Sequence, residues 1–315
     1  MTPRHVQSML STAGDQAIAI GGMWTLMLWV CGLMYAAVLV WLGYVLAARV
    51  RAAASSGQRK DPGLTKALIA FVLLVVSLLT WFVAASYLTD RRLHAGAPAL
   101  VVRITAKQWW WQVDYLDSDP SKAFTTANEL HLPRDRIVRV ELRAADVIHS
   151  FWVPNLSGKE DLIPGHANAL LLTPRVAGYF RGQCAEFCGL QHANMALDVQ
   201  VEDATAFAQW QARQRAPAGQ PVTALAQRGA TVFAATACAT CHAIRGSDAG
   251  SHIGPDLTHL ACRRSLAAGT LPMDRGALLA WISDPQHFKP GNGMPKVALS
   301  PQDLASVTDY LVELR

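Results

Sequence analysis

Residues 182–195 read GQCAEFCGLQHANM. Cys184, Cys188, His192 and Met195 fall within twelve residues, with Glu186 between the cysteines. Thiolate, imidazole and thioether together make the soft donor set that suits copper. Their clustering predicts a single loop between two strands. His149, in DVIHSFWVP (146–154), lies thirty-five residues earlier and reaches the same point only from a neighbouring loop. One blue-copper centre uses one cysteine, two histidines and a weak axial methionine, so this inventory holds one thiolate too many for one ion. Two thiolates bridging two coppers use every donor. Cys184 and Cys188 then bridge, His149 and His192 bind one metal each, and Met195 and the Glu186 carbonyl are weak axial ligands. Two other readings stay open. A Cys184–Cys188 disulfide suits an oxidising compartment but leaves His192 and Met195 without a purpose; zinc rarely takes methionine.

The flanks of this loop alternate. Val102, Ile104 and Ala106 interleave with Arg103 and Thr105. Val138, Val140 and Leu142 interleave with Arg139, Glu141 and Arg143, and Leu197, Val199 and Val201 with Asp198 and Gln200. A period of two in short segments split by Pro and Gly predicts an antiparallel sandwich or barrel. Residues 96–212 suit one such domain.

Upstream the pattern is different. Residues 17–48 and 67–89 are uncharged apolar runs, each longer than the roughly 20 residues that cross a bilayer core. A signal peptide has a shorter apolar segment and a small-residue cleavage site, so 1–95 is expected to form a two-helix transmembrane hairpin. Between the runs lie Arg49, Arg51, Arg59, Lys60 and Lys66 against Asp61. The positive-inside rule puts this loop in the cytoplasm and both termini outside, with Arg91 and Arg92 as a small counter-signal.

Downstream, residues 213–222 are rich in Gln, Ala and Pro and read as a linker to a third module, 223–315. There CATCH supplies Cys238, Cys241 and His242. Two thiols at this spacing add to haem vinyl groups while the adjacent histidine reaches the iron. A thioredoxin-like redox pair is the competing reading and needs a βαβ context. A sixth ligand comes from Met294, in the Gly/Pro-rich loop KPGNGMPKVALS (289–300), or from Met273. Ser300, Pro301 and Asp303 then open a helix with Leu304, Val307, Leu311 and Leu314 at helical spacing. His252 and His259 read as surface or supporting residues, and Cys31 and Cys262 as buried small hydrophobes.

The 315 residues carry a net charge of +5 without a Lys/Arg block, which sets nucleic acid aside. Hydrophobic residues make up 51% and charged ones 16%, the apolar excess lying in the first ninety residues.

KQWWWQVDY (107–115), DVIHSFWVPNL (146–156), IPG (163–165) and GQCAEFCGLQHANM closely resemble subunit II of the haem–copper cytochrome c oxidases, over roughly residues 20–210. The resemblance implies a cupredoxin-like β-sandwich holding a dinuclear CuA centre with the ligands given above. It implies that the Glu186 side chain helps bind a magnesium ion shared with subunit I, and that electrons enter through Trp109, while Trp110 and Trp111 pack in the core or at the membrane surface. Many members carry a glutamate at the cytoplasmic start of the second helix for a proton channel. Leu64 to Thr89 contains no acid. GNGMP is similar to the class I cytochrome c pattern, which favours Met294 and implies an all-α domain whose last helix packs on one at about 224–236. GPDLTHL (254–260) resembles the segment beside the proximal histidine. The combination resembles the fused subunit II of caa3-type oxidases. It implies a bacterial plasma-membrane protein with the copper and haem domains outside, a cytochrome c or bc1-type complex as donor, and a separate subunit I that reduces O2 to water and pumps protons. No turnover is expected from this chain alone. Alternatives are the entry subunit of a CuA-containing nitric oxide reductase, or a copper chaperone with a thioredoxin fold.

Overall fold

The computed structural model describes residues 7–52 and 62–315, so Arg59, Lys60 and Asp61 of the positive loop lie outside the described residues. The chain divides into two units, residues 18–95 and residues 1–17 with 96–315.

The first unit is helical. Helices α1 (Asp15–Ala52) and α2 (Pro62–Leu93) extend beyond both uncharged runs. Within them Asp15–Ala48 and Thr65–Leu93 are each long and apolar enough to cross a membrane. Trp29, Leu33, Val40, Leu73 and Val83 are uncovered by protein. Apolar surface this continuous marks a face that meets lipid or another protein. Cys31 is exposed on α1, contrary to its expected burial, because among the described residues no second layer covers that helix face.

In the second unit, strands β1 (Leu100–Lys107), β2 (Trp110–Leu116), β3 (Phe124–Ala127), β4 (Glu129–Pro133), β5 (Val138–Ala144), β6 (His149–Trp152), β7 (Glu160–Leu162), β8 (Asn168–Leu172), β9 (Gly178–Cys184) and β10 (Ala196–Glu202) form a two-sheet sandwich. The sheet orders are β3-β2-β1-β5-β8 and β4-β10-β9-β6-β7. The alternating residues fill its core: Val102, Ile104, Val138, Val140, Leu142, Leu197 and Val199 are buried. The cupredoxin-like sandwich is as expected, but its pairing is not purely antiparallel. β1 with β5 and β4 with β10 run parallel. Alternation reports which face is buried, and strand direction leaves no mark on it. Residues 8–17 strap onto the sandwich, with Ala13 N donating to Asn155 O at 2.7 Å and Arg175 gripping Asp15 at 2.7 Å through two nitrogens.

The sandwich continues into α3 (Ala204–Arg215), which buries Phe207 and Trp210. This helix runs into the stretch read as a linker: the Pro-rich signal begins only after it. The helical module follows, with α4 (Ala224–Ala235), the one-turn α5 (Cys238–Cys241), a two-strand pair β11 (Ser265–Leu266) and β12 (Leu271–Pro272), α6 (Arg275–Ser283), the short α7 (Pro285–Phe288) and α8 (Pro301–Glu313). The Ser300 hydroxyl accepts from Asp303 N at 3.1 Å and Pro301 starts the turn, so α8 opens on a side-chain cap. It crosses α4 at Gly229, where a Cβ would stand 1.9 Å from the Ser306 carbonyl oxygen, a contact only glycine allows. Phe233, Leu278, Ile282, Val307 and Leu311 form this module's own core.

Candidate metal and haem centres

The first site is built at one end of the second sheet. β6 pairs with β9 so that Phe151 faces Cys184. His149, two residues before Phe151, shares its face of the sheet and stands beside the first cysteine. The chain leaves β9 at Cys184, turns, and re-enters β10 after Met195, the loop being closed by Cys184 N donating to Met195 O at 3.0 Å. Gly189 turns this loop at φ +108°, and a Cβ there would press within 3.2 Å of the Trp109 ring.

The resulting geometry is a ladder of donors. The Cys184 and Cys188 sulfurs are 3.7 Å apart and both cysteines are free, against about 2.05 Å for a disulfide. His149 Nδ1 lies 3.8 Å from Cys184 Sγ, and His192 Nδ1 lies 3.6 Å from Cys188 Sγ. Met195 Sδ is 3.9 Å from Cys188, and the Glu186 carbonyl is 3.3 Å from Cys184. His149, Cys184 and Cys188 fit around a single ion, their donor atoms all lying within 4.8 Å of one another. The Glu186 carboxylate points outward, half-exposed, with Lys159 Nζ at 3.9 Å.

Electrostatics prepare the donors. The contact with Cys188, backed by His149, lowers the Cys184 pKa, and the same contact raises that of Cys188. Burial opposes a charge on His149, yet hydrogen bonds to Cys184 and Asp146 raise its pKa. Asp146, which the sequence reading passed over, takes His149 Nε2 at 2.8 Å and Gln108 N at 2.6 Å. The DVIH tetrapeptide held that signal: a carboxylate three residues before a candidate ligand histidine.

The three tryptophans separate. Trp109 is 7% exposed and donates its indole N–H to the Cys188 carbonyl at 2.9 Å. Trp111 is a core residue against Phe151. Trp110 is half-buried under Lys107, whose Nζ is 4.7 Å from the ring centroid.

The second site is a cavity of about 370 Å³ in the helical module, reaching to Trp109. Its wall carries Cys238, Cys241, His242 and Met294, and excludes Met273, which packs against the module's core. The one-turn helix α5 sets the two thiols on one side, since positions i and i+3 share a helix face. His242 Nδ1 is 2.7 Å from the Pro255 carbonyl, so Nε2 is free to coordinate. Burial lowers the His242 pKa, favouring the neutral ring. Arg263, buried in the cavity wall, makes no hydrogen bond through Nε among the described residues; that nitrogen stands 3.8 Å from the Glu129 carboxylate. These residues fit a covalently attached haem.

His252 is exposed and His259 is buried against the Ala216 carbonyl at 3.2 Å. Cys262 is exposed, against expectation, at the end of a tight turn beside buried Arg263. His131, to which the sequence reading gave no role, lies buried between Glu129 and Glu202, flat on Trp210 at 4.0 Å. The thioredoxin fold that the copper-chaperone alternative needs is replaced by a sandwich.

Residues 118–202 match the cytochrome c oxidase subunit II periplasmic domain, and residues 226–315 match cytochrome c. Cytochrome c oxidase subunit 2 of Alkalihalophilus pseudofirmus is 36% identical over 70% of this chain, the match spanning 63% of that relative's length. Cytochrome c oxidase subunit 2 of Bacillus subtilis is 32% identical over 79% of this chain and 71% of its own. This chain belongs to the cytochrome c oxidase subunit 2 family. Among solved structures, the periplasmic domain of subunit II of cytochrome oxidase (CoxB) of Bradyrhizobium japonicum is 30% identical, covers 38% of this chain and 96% of its own, and has a TM-score of 0.36. As a subunit 2 family member, the chain joins an apolar helical N-terminus, a cupredoxin-like sandwich and a cytochrome c domain.

Proposed function

We propose that this chain is the electron-entry subunit of a respiratory cytochrome c oxidase. Residues 1–95 anchor it in a bacterial plasma membrane with both termini outside. The copper module (96–212), the connector (213–222) and the haem module (223–315) stand on the periplasmic side. Electrons arrive from a cytochrome c or bc1-type complex. Cys238, Cys241, His242 and Met294 would hold a covalent haem c, which would supply a one-electron carrier there. Trp109 leads from there to a dinuclear CuA centre on Cys184, Cys188, His149, His192, Met195 and the Glu186 carbonyl. The electron then leaves for subunit I, where O2 is reduced with proton pumping. The Glu186 carboxylate, turned outward beside Lys159, would share a magnesium ion with that subunit.

One observation carries this reading. Two free thiols stand 3.7 Å apart, each with its own histidine, at 3.8 and 3.6 Å. One ion uses one end of such a ladder; two thiolate-bridged ions use both. Shared between two metals, an electron changes each metal–ligand distance little, which suits fast transfer.

Electron paramagnetic resonance with metal analysis on the full-length chain in detergent tests this. Two coppers sharing one unpaired electron, plus a low-spin haem that survives acid–acetone extraction, are expected. A single-copper spectrum, or a Cys184–Cys188 disulfide in metal-loaded protein, would overturn it.

A further inference from the structure

Lys289 follows α7 and is 2% exposed. Lysines are almost never this buried without a partner, and among the described residues no carboxylate pairs with this one. Its ammonium instead donates to two carbonyls, each at 2.8 Å: that of Trp109 in the sandwich and that of Ala267 between β11 and β12 in the haem module. Desolvation brings its pKa down to about 7, and either protonation state keeps two N–H donors. A buried polar group held only by backbone carbonyls is expensive, and the same space would take a methionine at no such cost. The placement therefore asks for a purpose other than stability.

The surrounding chain supplies one. Asn292 donates to the Lys289 carbonyl at 2.7 Å and accepts from Met294 N, also at 2.7 Å. Pro290 O accepts from Gln191 Nε2 at 2.9 Å, next to His192. Gly291 lies against the outer edge of the Trp109 ring. Trp109 in turn holds the Cys188 carbonyl. Lys289, beside the Gln191–Pro290 bond, thus ties the loop that presents Met294 to the backbone of the tryptophan whose indole touches the thiolate loop.

We propose that Lys289 is a positioning residue for electron transfer, clamping the Met294 loop onto Trp109 so that the indole bridges the two redox sites. The proposal rests on the electron-entry reading. One electron leaves the reduced carrier in the cavity and enters the oxidised copper pair; no bond breaks and no proton moves.

Lys289→Met removes both donors at nearly constant shape, and Lys289→Arg retains donors. In the full-length, metal- and haem-loaded chain, transfer from haem to copper after flash reduction is followed together with hydrogen exchange. For Lys289→Met, transfer slows by about tenfold or more, the scale on which small misplacements act. Amide exchange rises in residues 289–294 and around Trp109, while both spectra and both reduction potentials stay put. Lys289→Arg recovers part of the rate. Lys107→Met, which cuts a second tie between the modules (Lys107 Nζ to His252 O, 3.0 Å), leaves the rate unchanged. A wild-type rate in Lys289→Met overturns the proposal. So does loss of haem or copper from that variant, which would mark Lys289 as scaffold. Failure of the electron-entry reading shows separately, as a parent protein lacking either centre.

Discussion

Asp146 holds His149 by its far nitrogen, Nε2, at 2.8 Å, leaving Nδ1 to face Cys184. A carboxylate in that position fixes the ring's tautomer and raises its basicity toward a metal. Asp146→Asn keeps the shape and loses the charge. Copper affinity is expected to fall about 10–100-fold, measured by chelator competition, with circular dichroism unchanged.

Met294 lines the haem cavity and Met273 does not. Met294→Ala is expected to turn the haem from low to high spin and lower its potential, because loss of the thioether opens a coordination position. Met273→Ala leaves the optical spectrum as it was. The reverse result would reassign the sixth ligand.

Gly229→Ala places a methyl group 1.9 Å from the Ser306 carbonyl oxygen and 2.8 Å from Tyr310 Cβ. Backbone stands on one side of this contact, so α4 and α8 must part. The haem module should lose about 1–3 kcal/mol or more, read as a lower thermal midpoint of haem release, while the copper spectrum persists.

His131 carries a linked pH dependence. Burial opposes charge on both His131 and Glu129. Even so, the Glu129 carboxylate at 3.7 Å and the Glu202 hydrogen bond at 3.0 Å raise the His131 pKa, and His131, with Arg263 nearby, lowers that of Glu129. A raised histidine contributes its full stability below the unfolded value of 6.5 and loses it as pH climbs through the folded one. A lowered glutamate contributes above 4.5 and loses it as acid titrates through the folded value. Urea midpoints should therefore fall as pH rises beyond about 6.5. His131→Gln is expected to flatten that limb, although it also loses the stack on Trp210. An unchanged slope in the variant would assign the dependence to another group.

The three-part architecture was legible because each part imposes a different pattern: unbroken apolar runs, a period of two, and a CxxCH pentapeptide before a capped helix. Donor types and spacing likewise pointed to residues 184–195 and 238–242, which the fold brings into two sites. The parallel pairings of β1 with β5 and β4 with β10 left no trace in the alternation. Lys289 and Arg263 escaped notice for a related reason. Each takes its importance from a partner distant in sequence, Trp109 for Lys289 and Glu129 for Arg263, and only folding brings these together. Asp146, three residues before His149, was readable in the tetrapeptide and was passed over. Cys31 and Cys262 misled in the opposite direction, since a thiol's apolar character says nothing about whether a second layer will cover it.

Trp109 is 7% exposed, with Lys289 and Gly291 beside it. On the proposed electron-entry reading, a visiting protein would then meet the outer skin of the helical module and not the tryptophan itself. Choice of supplier would become a property of surface side chains, free to drift over evolutionary time while the wiring beneath stays untouched.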